Sequence, residues 1–69
     1  MKLSTRNNFA GTIKGIKRGP VSTEVTIQVA KGVEIVSVIT TNSAKRLKLK
    51  KGQRAYAFIK ADHIIVGVD

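Results

Sequence analysis

Residues 23–29 read Thr-Glu-Val-Thr-Ile-Gln-Val, "TEVTIQV". Val25, Ile27 and Val29 alternate with Glu24, Thr26 and Gln28. A period of two puts the first set on one face and the second on the other, the pattern of a half-buried strand. The same period runs outward in both directions. Upstream, residues 11–17 alternate more loosely, with Ile13 on one face and Thr12, Lys14 and Ile16 on the other. Gly11 and Gly15 mark a bend or a close backbone approach there. Gly19-Pro20 breaks the chain between the two runs. Downstream, Lys31-Gly32 reads as a hairpin turn into "VEIVSVIT", residues 33–40. Val36 and Val38 face one way there, and Ile35 and Ile39 the other. Both faces are apolar, so this strand is expected to be covered twice, by its own core and by another subunit.

The period changes once, in "TTNSAKRLKL", residues 40–49. Thr41 or Asn42 can cap a helix, and Ala44 and Leu47 stand at i, i+3. One or two helical turns are predicted, ended by Lys51-Gly52. "RAYAFIK" then reads as a fourth strand and "HIIVGV" as a fifth. "KADH" joins them in a tight turn, where Asp62 can bond its own backbone. Five strands with one short helix between the third and fourth predict an all-β fold. The architecture expected is a Greek-key barrel of the OB type, as one domain over residues 1–69.

A chain of 69 residues buries only about 60% of the surface its unfolded form exposes, so it needs a supplement. It has no cysteine, which excludes disulfides and thiolate metal sites. His63 and four carboxylates make no obvious cage for a metal cation. Oligomerisation is the supplement left. The formal net charge of +9 calls for an anionic partner. No apolar run approaches the ~18 residues of a membrane span, so no membrane partner is expected. Lys2 is not followed by an apolar stretch of signal-peptide type. A cytoplasmic location is the expectation.

Nucleic acid is one anionic partner. OB-type barrels bind single strands with a basic groove and aromatic platforms. The charge is present, but Phe9, Tyr56 and Phe58 are the only aromatics. Tyr56 and Phe58 share one face of a strand and are expected in the core. Nucleic acid is therefore the alternative and not the expected partner. Catalysis has less support still. Glu24, Glu34, Asp62 and Asp69 are scattered, His63 has no partner at a useful spacing, and no nucleophile elbow or phosphate loop occurs. Neither an enzyme nor a catalytic cofactor is expected.

What remains is hydroxyls and cations beside turns: Ser4 and Arg6 before the first strand, Thr40 and Ser43 at the helix start, Lys60 and Ala61 after the fourth strand. Outward N–H groups and hydroxyls at such places suit a compact anion. Each also has a plain reading: a terminal serine, a solvated arginine, a pair of cap residues, a lysine guarding a sheet edge. Composition alone favours the plain readings.

The ordered set of segments resembles a family. "STRNNFAGTI", residues 4–13, is similar to the S-A-R-N-x-x-x-G-x-[IV] opening of the molbindins, the small molybdenum-pterin-binding (Mop) proteins. The same domain occurs in the molybdate-responsive transcription regulator and in the TOBE extension of molybdate transporter ATPases. "VITTNSAKRLKLKKGQRAYAFIKADHIIV" resembles the second half: I-T-x-x-S, then L-x-L-x-x-G, then a strand ending in K-A or K-S. Thr5 stands where alanine is usual. The resemblance spans essentially the whole chain.

It implies a cytoplasmic protein that binds, stores or buffers molybdate or tungstate at subunit interfaces of a homohexamer, a trimer of dimers. The donors it implies are Ser4, Arg6, Thr40, Ser43, Lys60 and the backbone of Ala61. Ser22 and Thr23, in "GPVSTEV", are candidates for a second oxyanion site, against an ordinary hairpin turn. A site made only of donors would reject a protonated oxyanion, because it offers no acceptor for the proton. A pterin is less expected than the bare oxyanion, because the sequence offers no aromatics to stack it.

Overall fold

The computed structural model describes residues 4–69; Lys2, used above to read the N-terminus, lies outside them. Strands β1 (Asn7–Arg18), β2 (Ser22–Ala30) and β3 (Val33–Thr40) follow one another, then helix α1 (Thr41–Arg46), then strand β4 (Arg54–Ile59). They form one curled antiparallel sheet in the order β3-β2-β1-β4. The helix falls between β3 and β4 as the change of period predicts.

The inner face is built by the alternation read from residues 23–29. Val25 and Ile27 are buried, as are Ile13 of β1 and Ala57 of β4. Ile16, Ile35, Ile39 and Leu49 pack against them. On β1 the simple alternation fails. Ile13 pairs with Ile27 and Gly15 with Thr26, which leaves Lys14 as an extra residue in a bulge. A bulge shifts the phase of every residue after it. Ile16 therefore pairs with Val25 and turns inward, not away from Ile13 as expected. Gly11 answers to close approach. A Cβ there would overlap the Gln28 carbonyl oxygen and sit 2.9 Å from Ile27 Cγ2.

Further expectations are corrected. The helix is capped by Thr40, whose hydroxyl accepts from the Ser43 N–H at 3.0 Å. Thr41 is not the cap because its hydroxyl is committed elsewhere. It donates to the Gly19 carbonyl at 2.7 Å and meets the Thr23 hydroxyl at 2.8 Å, both threonines being buried. The helix also ends before Lys51-Gly52. Lys48 takes φ +53, Lys48 N–H bonds Lys45 O, and Leu49 N–H bonds Ala44 O. That pair of bonds is a Schellman ending. It turns Leu49, rather than the half-exposed Leu47, against the core. Gly52 (φ +89) belongs to a separate turn, stitched to β1 through Gly52 N–H to Ile13 O at 2.8 Å.

Tyr56 and Phe58 are not core residues: they are 49% and 38% exposed. They pair with Ala10 and Asn8 on the outer face, while Ala57 takes the inward side. Their rings stack at 6.3 Å between centroids, and the Arg54 guanidinium lies 5.6 Å from the Tyr56 ring centre.

The fifth strand is absent among the described residues. After β4 a 3-10 turn spans Ala61–His63, closed by His63 N–H to Lys60 O at 3.0 Å and not by the Asp62 side chain. Residues 64–69 carry no strand. A strand exists only where another strand meets its backbone groups, and this segment meets none among the described residues. Ile65, Val66 and Val68 are 94%, 85% and 93% exposed. β3 and β4 thus remain open edges. A hollow of about 150 Å³ lies on the inner face, lined by Ile13, Val25, Ile39, Leu47 and Leu49 among others.

Candidate functional site

Pairing of β1 with β4 decides which site residues meet. Asn7 lies opposite Ile59, and its amide donates to the Ile59 carbonyl at 3.2 Å. The residues just before Asn7 and just after Ile59 are thereby held side by side. Ser4, Thr5, Arg6, Lys60, Ala61 and Asp62 line one surface hollow of about 320 Å³. Four of the six expected donors are therefore neighbours, although they lie more than fifty positions apart in the chain. Thr5 adds no donor to this hollow, because its hydroxyl proton goes to Asn8 Oδ1.

Thr40 and Ser43 lie elsewhere. Thr40 pairs with Ser22, and Thr23 pairs with Arg18 at the far end of β1. The helix start and the Asn7 end are thus at opposite ends of the longest strand. The Thr40 hydroxyl donates to Ser43 Oγ at 2.8 Å while accepting from the Ser43 N–H. Both its hydrogen-bonding functions are used, but Ser43 keeps its own hydroxyl proton to donate outward.

The second candidate pair divides as well. Thr23 is fully buried and bonded to Thr41, so its hydroxyl faces no ligand. Ser22 is exposed and lines a shallow hollow with Lys17, Arg18, Gly19, Glu24 and Val38. Thr23 is a structural residue that anchors α1 to the β1–β2 turn. No group of three or more His, Cys, Asp or Glu side chains is placed to hold a metal cation among the described residues. No helix there is long and apolar enough to cross a membrane. Asp62 was missed as a lining residue. Its place next to Ala61 was visible in the sequence, but which way the turn would present it was not.

A family model described as "TOBE domain" matches residues 3–66. The chain is 38% identical over 69 residues to a protein named "Probable molybdenum-pterin-binding protein" from Haemophilus influenzae, covering all of both chains. The chain belongs to the TOBE domain family, in its molbindin group. This molbindin chain is also 48% identical to "Molybdenum transport protein ModE" of Herbaspirillum seropedicae, matching along its full length but spanning only 26% of that protein. Among solved structures it superposes with TM-score 0.94 and 43% identity on a molybdate-bound form of ModG, described as a cytoplasmic molybdate-binding protein. That match covers 100% of this chain and 49% of ModG.

Proposed function

We propose that this molbindin binds molybdate or tungstate as the oxyanion, between copies of itself, and stores or buffers it in the cytoplasm. The observation that carries the reading is the hollow at the Asn7 end, where Ser4, Arg6, Lys60 and Ala61 converge. A tetrahedral dianion has acceptors on every side. Two cations, a serine hydroxyl and a backbone N–H answer part of that shell. Ser43, its hydroxyl proton left free by the bond from Thr40, supplies a further donor from the far end of β1 in another chain, because one chain keeps the two groups apart. Homologous proteins named for molybdenum or molybdate binding support the ligand class. A homohexamer, arranged as a trimer of dimers, is the assembly proposed. Ser22, beside Lys17 and Arg18, is the part of the second-site idea that still has an exposed donor. Titration calorimetry with molybdate in excess sulfate tests the reading. Heat with saturable stoichiometry is expected; a folded protein that gives none would count against it.

One observation favours a second reading. The exposed Tyr56–Phe58 stack beside Arg54 supplies the aromatic surface that a single-stranded nucleic acid needs. Oligonucleotide binding that weakens steeply with salt would support it. No gel shift at low salt would remove it.

A further inference from the structure

The hollow at the Asn7 end holds one side chain that only accepts hydrogen bonds. Asp62 shares its lining with Ser4, Thr5, Arg6, Lys60 and Ala61. The 3-10 turn that closes with His63 N–H on Lys60 O keeps Asp62 beside Ala61 at the rim. An ionised carboxylate only accepts hydrogen bonds. Facing molybdate, tungstate or sulfate, which carry no proton at neutral pH, its oxygens meet other lone pairs and a like charge. Facing hydrogen phosphate or hydrogen arsenate, they meet an O–H. That contact is a short charge-assisted bond and not a repulsion.

We propose that Asp62 sets which protonation state of a tetrahedral oxyanion the site takes, and that it admits hydrogen phosphate and hydrogen arsenate beside molybdate. The proposal rests on the oxyanion-binding reading above and corrects its donor-only corollary. Arg6 and Lys60 carry two positive charges into the hollow, and Asp62 returns one negative charge. The anion's proton stays on the anion and is shared with the carboxylate, so no bond is made or broken.

The test is calorimetry at neutral pH with three probes, molybdate, sulfate and inorganic phosphate, on the wild type, Asp62→Asn and Glu34→Gln. Asn keeps the shape but offers donors where Asp offered acceptors. Glu34 lies opposite Gln28 on the β2–β3 hairpin, so its substitution changes net charge equally, away from the hollow. Asp62→Asn is expected to bind molybdate and sulfate about tenfold more tightly and phosphate about tenfold less, the scale of one hydrogen bond to a charged group. Glu34→Gln is expected to leave the phosphate-to-molybdate ratio alone. Wild-type binding of molybdate with a ratio unchanged in Asp62→Asn would overturn the role of Asp62 and leave the site standing. An equal shift in Glu34→Gln, or sulfate moving with phosphate, would also overturn it, in favour of diffuse charge or of size. No binding of any probe by any of the three proteins would overturn the site reading itself, and this proposal with it.

Discussion

Single hydroxyls do two different tasks here, and the sequence does not say which. Thr40, Thr41 and Ser43 lie within four positions, yet Thr41 is 7% exposed and Thr40 is exposed. The Thr41 hydroxyl satisfies the Gly19 carbonyl and the buried Thr23 hydroxyl together. Thr41→Val keeps the shape and orphans both partners. It is expected to cost about 1–3 kcal/mol, read as a lowered midpoint in urea with unchanged slope. Lys60 tests the other task. Lys60→Ala removes a cation from the hollow, whereas Lys48→Ala removes one near the C-terminus of α1. Calorimetry with molybdate is expected to show a large loss for the first and little for the second; equal losses would mean a general charge effect. All six candidate donors were named because their segments resemble a family's ordered motif, and four of them line one hollow. Thr23 was misread because a threonine in a turn-rich stretch looks the same whether its hydroxyl faces solvent or another threonine.

Elements were legible where their period was clean. β2 follows directly from alternation, because one face had to be buried, and β3 from its run of β-branched residues. β1 was legible as a strand but not in phase, since the bulge at Lys14 depends on how β1 meets β2 and leaves no mark in its own composition beyond Gly15. The end of α1 was misplaced for a similar reason. Glycine is the usual signal at a left-handed C-terminal position, and here Lys48 occupies it at φ +53. A side chain in that region costs about 1–2 kcal/mol relative to ordinary helical geometry, offset by the two Schellman bonds. Lys48→Gly relieves the Cβ and gives back part of the gain as unfolded-chain entropy. A net stabilisation of about 0.5–1 kcal/mol is expected. For a domain of this size that is a rise in Tm of roughly 2–8 °C by calorimetry. A fall in Tm would mean that the Lys48 side chain holds the turn in a way its geometry does not reveal.

At the scale of the molecule, one chain leaves too much apolar surface in water. Val36 and Val38 are 58% and 67% exposed on the outer face of β3. Residues 64–69 expose Ile65, Val66 and Val68 almost completely, while an apolar hollow stays open on the inner face. The sequence reads this last segment as a strand because its residues are β-formers, and it could not show that no strand among the described residues pairs with it. Exposed apolar residues of this kind are what the proposed assembly would cover. Val66→Asp tests whether that association completes the anion site. Because Val66 is already 85% exposed, the charge costs the isolated chain almost nothing, and circular dichroism is expected to keep its strand signal. Native mass spectrometry is expected to show the oligomer shifting toward monomer. Molybdate heat is expected to fall with it, because Arg6 and Lys60 at one end of β1 cannot enclose an anion with Thr40 and Ser43 at the other. An unchanged oligomer would place the subunit contact elsewhere, on Val36 and Val38 for example. A monomer that binds molybdate at full affinity would show that the hollow at the Asn7 end is sufficient alone, and the interface reading would fail while the site survived.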